Sequence, residues 1–162
     1  MLDTGVSLIG GAALVLGLMA RTLPSDRWLT RINIASLLLW ASYFCLLGGY
    51  GAVTSLLIGV AVALSVELRM TGLSRGFLAL EFVMIPVIGA LAGPREILPL
   101  IGGVTFSTGI AFLSGTRLTL AILAGEGIWL SYAIWTGATF GMLAALAAMT
   151  ALLVRTLRRG WA

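Results

Sequence analysis

Apolar residues occur in seven runs along the chain, separated only by short polar or glycine- and proline-rich breaks. A helix that spans a bilayer needs roughly 17–25 apolar residues, and several runs are slightly shorter, so either the helices extend into the breaks or the bilayer thins around them. The pattern predicts an all-α integral membrane protein. Its seven predicted transmembrane helices are at residues 5–20, 32–47, 52–66, 77–92, 98–113, 118–135 and 140–153.

The breaks between the runs contain residues that end helices or face water. The sequence predicts a polar loop at residues 21–31, a glycine-rich turn at 48–51 and a charged connection at 67–75. Gly93 and Pro94 end the fourth helix, because neither residue continues a helix well. The basic segment at residues 155–161 is predicted to lie outside the lipid.

Two parts of the chain resemble each other, which indicates an internal repeat. Leu8-Ile9-Gly10-Gly11 matches Leu100-Ile101-Gly102-Gly103, and a Trp-x-Ser-Tyr motif occurs twice, each time five residues before a glycine. The paired positions are Trp40, Ser42, Tyr43 and Gly48 with Trp129, Ser131, Tyr132 and Gly137. This division predicts a first three-helix repeat at residues 1–69, a linker with transmembrane helix four at 70–96, and a second three-helix repeat with a basic cytoplasmic tail at 97–162.

A single linker helix gives both three-helix repeats the same orientation in the membrane. The expected architecture is therefore two parallel repeats related by an axis along the membrane normal. This is one of the repeat arrangements that transporters use.

Composition agrees with a membrane location. Of 162 residues, 60% are hydrophobic and 10% are charged, whereas soluble domains have roughly 45–50% apolar and about 25% charged residues. All ten basic residues are arginines, and alternating the helices places nine on one side and only Arg95 on the other. The positive-inside rule then predicts an extracytoplasmic N-terminus and a cytoplasmic C-terminus in a bacterial inner membrane. Because the arginines lie between apolar runs, the basic charge of the chain is explained by its orientation in the membrane. No nucleic-acid partner is therefore expected.

The chain has few of the side chains that enzymes use. It contains no histidine and one cysteine, Cys45, which excludes an internal disulfide and histidine-based metal or acid–base sites. No spacing of Asp, Glu, Ser or Cys assembles a nucleophile with a base. We therefore expect neither an enzyme, nor a metal, nor a cofactor.

The candidate solute site combines one face of helix two with one face of helix six. Residues at i, i+3, i+7 and i+10 share a helix face, and the two faces are predicted to meet between the repeats. The alternative for the aromatic residues is the belt that Trp and Tyr form at membrane interfaces. The candidate substrate-binding residues are Asn33, Ser36, Trp40, Tyr43, Glu126, Trp129 and Tyr132.

Glu126 lies near the middle of helix six, where a charged carboxylate costs roughly 2.5–3.5 kcal/mol. It is the candidate proton-coupling residue, or else a protonated side chain hydrogen-bonded across a helix interface. Glu81 is predicted to lie about one turn inside the cytoplasmic end of helix four, where pairing with Arg75 or another loop arginine is expected. The arginines of the tail are predicted to bind lipid headgroups, with partner docking as the alternative; they are Arg155, Arg158 and Arg159.

Two resemblances add to this interpretation. The three-plus-one-plus-three helix plan with an outside N-terminus resembles the sugar-transporting SWEET family and its PQ-loop relatives. At closer range the chain is similar to the bacterial inner-membrane YgjV family. That likeness lies in residues 43–48, in Glu96-Ile97-Leu98-Pro99-Leu100-Ile101-Gly102 and in the arginine-rich end of helix seven. It implies an inner-membrane location.

The leading functional hypothesis is a transporter of a small polar solute with a site between the two repeats. The alternative is a non-transporting accessory or assembly subunit of a larger membrane complex, which the small size and short loops favour. Membrane lipids are the expected partners. A homo-oligomer and a larger complex both remain open, and stripes of small residues are suited to helix packing in either.

Overall fold

The computed structural model describes the backbone of residues 4–22, 26–113 and 115–160, and the side chains of residues 4–19, 31–109, 112–113 and 117–154. This part of the chain forms seven α-helices and one 3-10 turn, with no strand. The helices are α1 Thr4–Thr22, α2 Asp26–Leu46, α3 Tyr50–Glu67, α4 Thr71–Ala92, α5 Ile97–Phe112, α6 Gly115–Thr136 and α7 Thr139–Gly160, and the 3-10 turn is Pro94–Glu96.

Several helices are longer than the apolar runs predicted. The predicted loop at 21–31 is mostly helical, since α1 ends at Thr22 and α2 begins at Asp26. The predicted connection at 67–75 is also too long, because α4 begins at Thr71, and α7 continues to Gly160. Arginine is a good helix former, so a helix continues past its apolar segment into polar surroundings. The short apolar runs are thus the central parts of longer helices.

Judged by length and composition, three of the described helices are long enough and apolar enough to cross a membrane. They are Tyr50–Glu67, Thr71–Ala92 and Arg117–Thr136. Shorter apolar helices occupy Thr4–Met19, Arg31–Leu46 and Thr139–Val154. Many large apolar side chains are exposed, among them Leu91 and Leu8, as in a protein whose solvent is lipid.

Corresponding helices of the two predicted repeats make corresponding contacts. α1 packs on α2 as α5 packs on α6, and α2 packs on α3 as α6 packs on α7. The two sets of three meet where α1 contacts α7 and where α3 contacts α5. α4 packs mainly on α3, α5 and the 3-10 turn, at the side of the assembly.

The turns after α2 and α6 are also alike. Gly48 and Gly137 have left-handed φ angles of 73° and 68°, which favour glycine because a side chain there meets the following carbonyl. The N–H of Gly49 donates to the Phe44 carbonyl over 2.8 Å, and the N–H of Ala138 donates to the Ala133 carbonyl over 2.9 Å. Both turns thus satisfy carbonyls at a helix C-terminus with a glycine cap.

Glu96 joins the two sets of three helices. Its buried carboxylate accepts a hydrogen bond from the Gly51 N–H over 2.9 Å and from the Tyr132 hydroxyl over 3.2 and 3.3 Å. Gly51 lies in the first turn of α3, whose N–H groups have no partner within the helix. A methyl group at Gly51 would collide with the Glu96 carbonyl. Arg95 pairs with the same carboxylate over 3.3 Å.

Candidate functional site

A cavity of about 330 Å³ lies among six of the seven helices. α2 contributes Asn33, Ser36 and Trp40 to its wall, and α6 contributes Glu126 and Trp129. Residues of α1, α3, α5 and α7 complete the wall, and most of these are apolar or small. Five of the seven candidate substrate-binding residues therefore line one cavity.

The remaining two candidates, Tyr43 and Tyr132, do not line the cavity. Both are fully buried in the core cluster beside it. Trp40 contacts Tyr43 edge to face at 5.6 Å between ring centroids, and Trp129 contacts Tyr132 in the same way at 6.1 Å. The tyrosines therefore pack against the tryptophans of the cavity wall and are not themselves part of that wall.

Phe44 was missed from the sequence and lies at the centre of this aromatic group. Its ring contacts all four of the aromatic rings just described, with centroid distances from 5.2 to 6.1 Å. Phe44 also lines the cavity. In the predicted repeat, Phe44 corresponds to Ala133, which belongs to the same core cluster and also lines the cavity.

The polar groups of α2 are partly occupied by the protein itself. The Ser36 hydroxyl donates to the Ala13 carbonyl of α1 over 3.0 Å, so it joins two helices as well as lining the cavity. Trp40 approaches α1 at Gly17, which also lines the cavity. Asn33 is partly buried in the cavity wall. On α2, Asn33 is therefore a stronger candidate than Ser36 for polar contact with a solute.

A second carboxyl group lies directly behind the cavity wall. Glu81 of α4 is 0% exposed and accepts a hydrogen bond from the Ser55 hydroxyl of α3 over 2.7 Å. The Ser107 hydroxyl of α5 lies 3.5 Å from the other carboxylate oxygen, at the limit of a hydrogen bond. Ser55 and Ser107 both line the cavity, whereas Glu81 does not. The two serines thus separate a buried carboxyl group from the cavity.

The predicted pairing of Glu81 with an arginine is wrong. Among the described residues no arginine nitrogen lies within 4.0 Å of the Glu81 carboxylate. Arg75 is exposed, and six residues separate it from Glu81. At 3.6 residues per turn the two side chains point about 120° apart around α4. Because α4 begins earlier than predicted, Glu81 is at the middle of the helix rather than near its end.

Gly103 allows the close approach at Glu81. A methyl group at this position would collide with the Ser55 hydroxyl oxygen and with a Glu81 carboxylate oxygen. In the sequence, this contact could have been recognised from a glutamate within an apolar run and from neighbouring helices that carry serines and a glycine.

The candidate lipid-binding side chains of Arg155, Arg158 and Arg159 lie outside the described side chains.

Comparison with known proteins places the chain in a family. No curated protein and no solved structure matches it. The model of the Imp-YgjV family, described as a bacterial inner membrane protein, matches residues 6–161, which is nearly the full length. The resemblance to YgjV proteins is thereby confirmed, and the chain belongs to the Imp-YgjV family of bacterial inner membrane proteins.

Proposed function

We propose that this protein transports a small polar solute across the bacterial inner membrane, and that the cavity between its two three-helix repeats is the solute site. The observation that carries the proposal is the convergence of Asn33, Trp40, Glu126 and Trp129 on one cavity. Repeat transporters bind their substrates between the repeats, near the membrane midplane. Apolar walls with a few polar groups are also typical of small-molecule sites.

The volume of the cavity limits the size of the solute. Water takes up about 30 Å³ per molecule, so a cavity of about 330 Å³ holds on the order of ten water molecules or one solute of similar volume. A monosaccharide or an amino-acid-sized amine fits within this volume.

The wall chemistry favours a neutral or cationic solute. Glu126 is the carboxyl group that lines the cavity, and its charge would repel an anion at short range. Trp40 and Trp129 offer ring faces, which attract the C–H groups of a sugar or a cationic amine. Glu126 also remains the candidate for coupling solute movement to a proton, because an ionisable group within a membrane is expensive without a function.

The architecture supports the same proposal. We propose that all seven helices cross the membrane and that the repeats are parallel, with α4 as the linker. The like helix contacts and the like glycine turns support this. Nine arginines on one side support an extracytoplasmic N-terminus and a cytoplasmic C-terminus. The predicted helix plan resembles that of SWEET transporters, which is a supporting analogy.

The test is flux in proteoliposomes that contain the purified protein. Radiolabelled monosaccharides, amines and small acids are loaded inside, and efflux is measured for wild type, Glu126→Gln and Glu67→Gln. Glu67 is a matched control because it pairs with Arg31 away from the cavity wall. We expect efflux of a neutral or cationic solute that falls at least tenfold in Glu126→Gln and is unchanged in Glu67→Gln.

Absence of flux with correctly folded wild-type protein would overturn the transport proposal. Folding is checked by the thermal transition of the detergent-solubilised protein. In that case co-purification of a stable membrane partner would favour the accessory-subunit alternative. Equal loss of flux in both variants would instead show that Glu126 has no special role.

A further inference from the structure

We infer that Glu81 is a proton-binding group of the cavity, and that Ser55 and Ser107 relay its protonation state to the cavity surface. The inference deepens the proposed function and rests on it only in treating the cavity as the solute site. Glu81 is the single buried residue of α4. From Gly76 onward the other residues of this helix are apolar, and many of them are exposed, so the one side chain that α4 buries is an ionisable one.

Glu81 has no positively charged partner in the described part of the chain. It packs between α3 and α5, and these helices present only the hydroxyls of Ser55 and Ser107 to it. The charged groups of the neighbouring elements are engaged elsewhere: Glu67 pairs with Arg31, and Arg95 pairs with Glu96. Arg75 on α4 itself is exposed. A carboxylate at this depth is therefore stabilised by hydroxyl dipoles alone.

A purely structural role at position 81 does not require an ionisable side chain. A serine or glutamine at position 81 would join α3, α4 and α5 by hydrogen bonds without the roughly 2.5–3.5 kcal/mol that an ionisable group costs within a membrane. A metal cation is also a poor fit, because calcium and magnesium take six or more oxygen ligands. Here the described side chains supply two carboxylate and two hydroxyl oxygens. A proton is the cation that this arrangement accommodates.

The serine hydroxyls provide the connection to the cavity. When Glu81 is ionised, the hydroxyl hydrogen of Ser55 points at the carboxylate, and the serine oxygen offers a lone pair to the cavity. When Glu81 takes up a proton, its own O–H donates to the serine oxygen, and the serine hydrogen turns toward the cavity. The incoming proton comes from a hydronium ion in the cavity: it gives a proton to the Ser55 oxygen as Ser55 passes its own hydrogen to Glu81, and it remains as a water molecule. The serine thus changes from acceptor to donor toward a bound solute.

The experiment reads the proton directly and uses no solute. Infrared difference spectra of the full chain in lipid nanodiscs are recorded between high and low pH, in H₂O and in D₂O. A protonated carboxyl group gives a C=O stretching band that shifts in D₂O. We expect wild type to show a component of this band that is lost in Glu81→Gln and retained in both Glu67→Gln and Glu126→Gln. An unchanged band in Glu81→Gln would overturn the inference.

The relay to the cavity is tested by tryptophan emission, since Trp40 and Trp129 line the cavity. We expect the emission to change with the same pH midpoint as the infrared band, and not to change in Glu81→Gln. In Ser55→Ala the band should remain while the emission change falls at least twofold. A full emission change in Ser55→Ala would contradict the relay. If Glu81→Gln does not fold, Glu81→Asp should keep the band at a shifted midpoint, and an unshifted band would overturn the inference.

These outcomes are separate from those of the flux assay. A titrating Glu81 band without any solute flux would overturn the proposed transport but leave the proton site in place. Flux without a titrating Glu81 band would overturn the proton site but leave the proposed transport in place.

Discussion

Replacement of Glu96 by alanine is expected to be strongly destabilising, because this residue lies where the two sets of three helices meet. The side chain is 1% exposed and accepts hydrogen bonds from the buried Gly51 N–H and the buried Tyr132 hydroxyl. A buried donor without a partner costs about 1–3 kcal/mol, so two donors predict a loss of about 2–6 kcal/mol in the free energy of unfolding. The pair with half-exposed Arg95 adds at most about 1 kcal/mol.

Tyrosine variants separate the hydrogen bonds from the aromatic packing. Tyr132→Phe removes one donor and keeps the ring, so we expect a loss of about 0.5–1.5 kcal/mol. Tyr43→Phe is the matched control at the corresponding position of the other repeat, because the Tyr43 hydroxyl faces the Phe140 backbone without a hydrogen bond of good geometry. Its loss should be near zero. In the Glu96→Ala background, Tyr132→Phe should cost less than alone, since it removes a donor that already lacks its acceptor.

The assay is equilibrium unfolding of the detergent-solubilised protein by increasing the mole fraction of sodium dodecyl sulfate, followed by tryptophan emission and helical circular dichroism. Glu67→Ala measures the effect of removing an exposed carboxylate, which is expected to be at most about 1 kcal/mol. If Glu96→Ala were no more destabilising than Glu67→Ala, the Glu96 carboxylate would not hold the two sets of three helices together. Additive losses for Glu96→Ala and Tyr132→Phe would show that the two side chains do not interact.

Two further predictions concern helix packing and topology. Gly103→Ala should lower the free energy of unfolding by about 1–3 kcal/mol through overpacking. Gly127→Ala is the control, because its added methyl group would meet nothing within 4 Å, and it should be neutral or stabilising by up to about 1 kcal/mol. Equal effects of the two variants in the same unfolding assay would contradict the close contact at Gly103. In a Cys45→Ser background, a membrane-impermeant maleimide should label Arg95→Cys in intact spheroplasts but label Arg69→Cys only after permeabilisation, and the opposite pattern would invert the proposed orientation.

The hydrophobic pattern predicted the number and order of the helices because both depend on local sequence. Apolar runs, Gly48 and Gly137 are visible without knowledge of any neighbour, and the seven described helices follow them. Helix ends were less well predicted, as at the start of α4, because polar residues also form helix where water or headgroups satisfy their side chains. The candidate cavity could be inferred only because the repeated Trp-x-Ser-Tyr motif indicated which faces correspond.

Glu126 and Glu81, which both lie within apolar helices, illustrate what the hydrophobic pattern leaves out. Glu126 attracted attention because its helix was placed correctly, so its central position was visible in the sequence. Glu81 was assigned to a helix end, where pairing with an arginine is the ordinary solution, because the predicted helix began six residues too late. Its actual partners, Ser55 and Ser107, come from α3 and α5, and contacts between helices far apart in sequence are not encoded in the periodicity of either one. The environment of a glutamate in a membrane helix can therefore be predicted only when the start of its own helix is known. An error of less than two turns in the start of α4 was enough to predict a surface ion pair for Glu81, which is a fully buried residue behind the cavity wall.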